Sequence, residues 1–432
     1  MTTQAVVYTV VHQPRRLKLP AQPIPTGASV EDMVRCIFDE RMNEAYFRQV
    51  ATKSYYPATE RFLRMVRTTD FKLAIGFSIS FLRQAEQWDP TLLALFKELV
   101  AEPNVELIGV EPYHNFLCLL DMPTFVNRMR WMREELARIF GKEPTITDTT
   151  EMCMSASVYD ALDKAGFQGA VMDGREWVMG WREPTHLYHY DGNLRLFTRH
   201  LKLSDDVGYR FSNRSWPSYP LYADTYANWV RDTGGDFTFL AWDFETFGEH
   251  HWADTGIFDF LEALPSEFQR RGVRFSLPSE ALAEHRDHAS QLPLPIFPTT
   301  WAGSGGMEFF LGNKAQQAIF QLMTHCYSVA QLTGKADLVD LALWLLQSDN
   351  LHLIQWFGTG GGSEAEVSAY FTPREWWGLG PDNIIVEQQR VYQNALRAME
   401  NFLPSRRTKG ERKRTPKRDA RELVTMGIEQ RY

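Results

Sequence analysis

The stretch Leu240–His251, LAWDFETFGEHH, decides how this chain is read. An apolar run, Phe237–Trp242, stops at Asp243 and is followed by Glu245, Glu249, His250 and His251. A short apolar run of this kind reads as a buried strand. Its carboxyl end is where barrel enzymes place catalytic side chains. A second acid, Glu151 in TTEMCMS, follows another short strand-like segment. Two carboxylates on different strand ends are the minimum equipment for cleaving a glycosidic bond. One protonates the leaving oxygen, and the other stabilises or attacks the oxocarbenium-like centre. Glu151 and Asp243 are therefore the candidate catalytic pair.

Outward from this segment the same pattern repeats. Strand-like runs are expected at Val6–Val11, Lys72–Phe77, Val105–Gly109, Thr145–Asp148, Gly169–Met172, Leu194–Thr198, Phe237–Trp242 and Val273–Ser276. Amphipathic stretches such as Thr91–Ala101, Pro123–Phe140 and Val158–Ala165 lie between them. This alternation predicts an α/β fold, a parallel sheet with crossover helices closed or nearly closed into a barrel of seven or eight strands. Near Leu282 the pattern changes. LPLPIFP (Leu292–Pro298) has three prolines and cannot be helix interior. Beyond it Ile319, Met323, Cys326, Leu338, Leu341, Leu345, Val391 and Ala395 fall at helical spacing. The expected organisation is a catalytic barrel over 1–283, a linker over 284–304, a helical domain over 305–404 and a basic, disordered tail over 405–432. The Gly-rich loop Gly358–Gly362 has no Lys after it and no strand-to-helix context, so it is not a P-loop.

Polar residues gather after the expected strands. His12 follows the first; Glu111 and His114 follow the third; Glu151 follows the fourth; Asp243, Glu245 and His250 follow the seventh. A proton donor must stay protonated near neutral pH, which burial or a neighbouring negative charge achieves. Asp243 follows four apolar residues, and Glu245 would raise its pKa if both face the cleft. His12, His114 and His250 suit hydrogen bonds to sugar hydroxyls or to the catalytic carboxylates. Trp216, Trp242, Trp252 and Trp356 lie near these segments, and at least one is expected to line the cleft, since a flat apolar face matches a pyranose ring. A competing reading is a metal-dependent deacetylase. The usual helical ligand pair is two His at i and i+4, and none of the eleven His has that spacing, so no metal is expected.

The bulk numbers narrow the class. A chain of 432 residues with 44% hydrophobic content fits a barrel plus an appended domain. The formal net charge of −8 disfavours nucleic acid or anionic membrane as the main partner. Cys36, Cys118, Cys153 and Cys326 are far apart with no CxxC, which points to a reducing cytoplasm rather than a disulfide framework. The N-terminal apolar run is too short for a signal peptide, and no segment reaches the roughly 18 apolar residues of a membrane span.

At this point the residues resemble glycoside hydrolase family 57, the alpha-amylase and 4-alpha-glucanotransferase family. His12-Gln13-Pro14 is similar to its HQP motif, VELIGVEPYHN (Val105–Asn115) to its second, TTEMCMS to its third and WDFETFGEH (Trp242–His250) to its fourth. QSDN (Gln347–Asn350) resembles the fifth. KSYYPATERFL (Lys53–Leu63), FSIS (Phe77–Ser80), SDDVGYRFSNRSW (Ser204–Trp216) and AYFTP (Ala369–Pro373) resemble its amylase-like branch. The resemblance implies a seven-stranded (β/α) barrel, an incomplete TIM-like barrel, with a C-terminal helical domain. It implies retaining cleavage or transfer of alpha-1,4-glucan without a cofactor; the alternative is a non-catalytic alpha-glucan-binding protein that keeps the fold, which the intact Glu151/Asp243 pair argues against. It makes Glu151 the nucleophile, Asp243 the acid/base, and His12, Glu111, His114 and Asp349 substrate-positioning residues. The chain departs from the family at Val10, where some members have a further His, and at Asn350, where many have His.

Overall fold

The computed structural model describes residues 3–357 and 372–403. The chain is an α/β fold around a mostly parallel sheet. The strands are β1 (Gln4–Val11), β2 (Leu73–Phe77), β3 (Val105–Ile108), β4 (Ile146–Thr147), β5 (Gly169–Asp173), β6 (Leu187–His189), β7 (Arg195–Arg199), β8 (Phe237–Asp243), β9 (Arg274–Phe275) and β10 (Ser290–Gln291). All eight expected strands are present within a residue or two at each end. β6 and β10 were not expected; both are short, and β6 is antiparallel to β7.

β1 is the central strand, buried at every position. It pairs in parallel with β8 from Gln4↔Phe237 to Val10↔Asp243, and with β2 from Tyr8↔Ala74 to Val11↔Phe77. Parallel pairings continue from β2 to β3, from β4 to β5, from β5 to β7, and from β7 to β8 at Arg199↔Phe239. A parallel bridge, Gly109↔Thr147, joins the end of β3 to β4.

Strand periodicity sorts the apolar residues onto two faces. Val6, Tyr8, Val10, Ile108, Val110, Ile146, Val171, Phe237, Phe239 and Ala241 form one small cluster. Ala5, Val7, Val11, Leu73, Ile75, Phe77, Leu240 and Trp242 point the other way, into the larger core shared with the helices. Two crossover helices show why the segments end where they do. Met122–Phe140 is capped by Asp121, which accepts from the Thr124 N–H, and stops at left-handed Gly141. Ala156–Ala165 is capped by Ser155 and stops at left-handed Gly166.

Beyond residue 313 the elements are helical: Lys314–Thr333, Ala336–Leu345, Asp349–His352, Arg374–Trp377 and Pro381–Glu400. They dock on the strand ends. Asn115 Nδ2 donates to the Leu343 carbonyl at 3.2 Å, and the Arg15 guanidinium lies 4.9 Å from the Trp344 ring. The stretch 284–304 is tied to the strands. β10 pairs with β6, and Thr299 bridges Met154. No helix among the described residues is long and apolar enough to cross a membrane. Gly358–Gly362, most of Ala369–Pro373 and the basic tail lie outside the described residues.

The turn after β8 depends on one glycine. Gly248 has φ +113°, and a Cβ there would lie 2.0 Å from the Lys53 carbonyl oxygen. Both the conformation and the clash oppose any side chain. Gly248→Ala should lower unfolding stability by about 2 kcal/mol or more, read as a lower denaturant midpoint at unchanged slope.

Candidate functional site

Following the strand period to each carboxyl end, or one step past it, brings polar residues onto the small-cluster face. His12 follows Tyr8 and Val10, Asp148 follows Ile146, and Asp243 follows Phe239 and Ala241. Asp243 is half-buried at the end of β8.

His12 is fixed at both ring nitrogens. Nδ1 lies 2.8 Å from Ser78 Oγ, at the end of β2, and Nε2 lies 3.0 Å from Asp349 Oδ2. Its ring stacks on His114, with centroids 4.0 Å apart and planes 14° apart. His114 Nδ1 is 2.9 Å from Ser348 Oγ and 3.9 Å from Glu151 Oε1. Burial, with His12 beside it, pushes His114 down to about 3, so it is neutral at physiological pH. Burial alone would raise Asp349, but its bond to His12 and the neighbouring His114 and His352 hold it well below the usual carboxylate range.

Glu151 sits on a strained turn. It has φ +56°, and the following Met152 has φ +52°. Left-handed conformations cost non-glycine residues about 1–3 kcal/mol each and persist where surrounding structure enforces them. Here Trp301 enforces it. The indole Nε1–H donates to Glu151 Oε2 at 2.6 Å, and the Trp301 backbone N–H donates to the Glu151 carbonyl at 3.1 Å. Trp301 is held in turn. Arg175 donates to the carbonyls of Thr300, Trp301 and Gly303 and pairs with Asp173 at 2.6 Å. Arg199 pairs with Asp173 and Asp205 and lies 5.5 Å from the Trp301 ring centroid. Sequence reasoning missed Trp301, because it lies in the stretch read as a linker. Its signal was a lone Trp among small polar residues, TTWAGSGG.

Other expected residues are placed differently. Glu111 has no exposed surface, and its Oε2 accepts from the Asn115 N–H at 2.8 Å, closing the turn that carries His114. Glu245 is buried and accepts from the Tyr55 hydroxyl at 2.7 Å, bracing the HQP turn from below. Burial and the Asp243 charge hold Glu245 well above the usual carboxylate range. His250 is half-buried. Burial and the nearby His251 and His352 hold it down to about 3, whereas His251 turns away to Ser212.

The four tryptophans scatter. Trp242 falls on the opposite strand face from Asp243, fully buried, and donates to the Ser204 carbonyl at 2.8 Å. Strand parity thus takes Trp242 out of the four candidates for the cleft. Trp216 packs edge-on to Trp229, with centroids 6.2 Å apart. Trp252 is exposed beneath Lys53, and Trp356 donates to the Leu353 carbonyl at 2.7 Å.

His12, His114 and Asp349 carry ligand-type atoms within 4.8 Å of one another, so these three could hold a divalent cation. As they stand, His12 Nε2 and Asp349 Oδ2 satisfy each other as a hydrogen-bonded pair.

This geometry has relatives. The profile of glycosyl hydrolase family 57 matches residues 6–293. The chain belongs to that family. A Methanocaldococcus jannaschii protein with a provisional alpha-amylase description is 30% identical over 373 residues, spanning 84% of this chain and 78% of that protein. Among solved structures, a family 57 branching enzyme from Pyrococcus horikoshii superposes with TM-score 0.63 at 15% identity, covering 94% of this chain and 97% of that one. The 4-alpha-glucanotransferase from Thermococcus litoralis superposes with TM-score 0.61 at 15% identity, covering 90% of this chain and 60% of that one. At such identities the superpositions speak for the fold alone.

Glu111 yields a stability prediction. Burial raises it to about 8, against an ordinary value near 4.5. Between those values the folded state keeps a proton that the unfolded chain has lost, so stability falls as pH rises through that window. Glu111→Gln cannot ionise. Its melting temperature should therefore decline less steeply than that of the wild type between pH 5 and pH 8.

Proposed function

We propose that this family 57 protein is a retaining enzyme of alpha-1,4-glucans, with Glu151 as nucleophile and Asp243 as general acid/base. We read the strand pairings as a seven-stranded (β/α) barrel with a C-terminal helical domain. The observation that most supports the catalytic assignment is the setting of Glu151. It is a carboxylate on a strained turn after β4, aimed by the Trp301 indole, and Asp243 ends β8, which runs parallel to β4 through β5 and β7.

In the first step Glu151 attacks the anomeric carbon while Asp243 gives its proton to the departing glycosidic oxygen. The sugar is then bound covalently to Glu151. In the second step the Asp243 carboxylate takes a proton from the incoming acceptor, whose oxygen displaces Glu151. Two inversions leave the anomeric configuration unchanged. The acceptor sets the outcome: water gives hydrolysis, and a sugar hydroxyl gives transfer. His12, His114 and Asp349, fixed against one another, are rigid partners for sugar hydroxyls. Glu111 and Glu245 act from beneath, by holding the turns. The alpha-amylase description of the sequence relative favours hydrolysis. The product profile on maltooligosaccharides tests this: shorter products alone mean hydrolysis, and longer ones mean transfer. The net charge and the four free cysteines suit an enzyme of the cytoplasm.

Asp243→Asn keeps the shape but has no proton to give, and should lower kcat/KM about 10²–10⁴-fold. Glu151→Gln should be at least as damaging. A substrate with a good leaving group needs less protonation, so it should partly restore the first step in Asp243→Asn but not in Glu151→Gln. Equal restoration of both, or near wild-type rates in either on maltooligosaccharides, would reverse or remove the roles.

The His12, His114 and Asp349 cluster favours a second reading, metal-assisted hydrolysis. Dialysis against a strong chelator separates the two. The retaining carboxylate mechanism keeps full activity, whereas loss of activity restored by added zinc or manganese would favour the metal.

A further inference from the structure

The segment KSYYPATERFL has no part in the double displacement, yet it lines a groove of about 790 Å³. Lys53, Glu60 and Arg61 stand on one side, and Trp252, Asp254 and Phe258 on the other. The volume falls in the range of roughly 300–1,000 Å³ that holds small molecules. None of His12, His114, Glu151, Asp243 and Asp349 lines it, so the groove is separate from the catalytic residues.

The two sides are locked together behind the turn that follows Asp243. Gly248 lies so close to the Lys53 carbonyl that a Cβ would meet it at 2.0 Å. Lys53 Nζ is 3.4 Å from Oε2 of the buried Glu249. The Glu249 and His250 N–H groups both donate to the Glu245 carbonyl, at 3.1 and 2.9 Å. On the first side, Ala51–Tyr55 is a single π-helical turn, a distortion that recurs at functional sites. Tyr55 in that turn braces Glu245 by its hydroxyl, while its neighbours Thr52, Lys53 and Tyr56 line the groove.

We infer that this groove is a second alpha-glucan site, which holds a stretch of polymer outside the catalytic cleft with Trp252 as its stacking face. The inference rests on the reading of the protein as an alpha-glucan enzyme. The chemistry of the lining selects a neutral, hydroxyl-rich ligand. Trp252 is 57% exposed, and a flat apolar ring matches a pyranose. Lys53 Nζ already stands 5.1 Å from the centre of that ring, in the place a cationic ligand would take. The cations are not available to an anion either. Lys53 is paired with Glu249, and Arg61 lies 3.7 Å from Glu262 and 4.4 Å from the Phe258 ring. Glu60 and Asp254 are exposed, and their carboxylates accept hydrogen bonds from hydroxyls. An aromatic face with acceptors beside it is suited to sugar. Because the groove backs the turn that follows Asp243, a polymer held there stays beside the catalytic residues between turnovers.

The experiment compares glycogen binding with turnover of a short substrate. Glycogen affinity is read by electrophoresis through gels containing glycogen, in the Glu151→Gln background so that the polymer is not consumed. Turnover is read as kcat/KM on an aryl maltotrioside with Glu151 intact. Trp252→Ala should weaken glycogen binding about three- to tenfold and leave kcat/KM on the maltotrioside at the wild-type value. Trp252→Phe keeps an aromatic face and should keep most of the affinity. Asp254→Ala, at an exposed position, should weaken binding in the same direction and decides the matter if Trp252→Ala fails to fold. Trp181→Ala, exposed elsewhere on the surface, should change neither readout. Unchanged glycogen binding in the Trp252 and Asp254 variants would overturn the inference. So would an equal loss on glycogen and maltotrioside, which would place Trp252 in the catalytic cleft. A wild-type dimer that Trp252→Ala turns into a monomer in sedimentation would assign the groove to a second copy of the chain. If the wild type neither turns over the maltotrioside nor binds glycogen, the alpha-glucan reading itself fails. If it does both and the variants match it, only this inference fails.

Discussion

The bond between His12 and Asp349 is the constraint on which the site depends. It joins the end of the central strand to the start of a helix more than three hundred residues later, at 3.0 Å. A carboxylate buried there would be costly by itself. Two stacked imidazoles and the Ser78 and Ser348 hydroxyls supply the setting that offsets the burial. Around this clasp the helical region is drawn over the strand ends. Gln347 accepts from the Arg15 N–H and donates toward Ser80, while Ser348 meets His114. One wall of the site therefore belongs to the strands and the other to the helices.

The support around Glu151 is built on a different principle. Asp173, Arg175 and Arg199 form a buried ion network whose donors end on the carbonyls of residues 300–303. Breaking one member of such a network leaves uncompensated buried charge, so it acts as a rigid unit. It presses Trp301 onto Glu151 and keeps that residue in a backbone conformation it would not choose alone. Rigid support around a reacting carboxylate is what orientation-dependent catalysis requires.

Much of this was written in the sequence, for a physical reason. Strands alternate with period two and helices with period 3.6, so apolar spacing announces both. The eight strand-like runs and the helix Met122–Phe140 were legible on that ground. So was the placing of His12, Glu151 and Asp243 at or beyond strand ends, because an abrupt change from apolar to charged marks the point where a strand leaves the core. The family was legible through HQP and WDFETFGEH, which keep their residues adjacent in sequence.

What the sequence by itself could not determine is which way a side chain turns and what it meets from far along the chain. Glu111 and Glu245 looked like cleft residues, yet the turns that carry them fold those carboxylates inward onto the Asn115 N–H and the Tyr55 hydroxyl. Trp242 is adjacent to Asp243, but strand parity sends it to the far face. Trp301 reaches Glu151 across 150 positions, and Tyr8 reaches Asp148 across 140. Such contacts have no local periodicity to announce them. They exist only once the strands are in register and the chain beyond residue 284 has folded back against the strands.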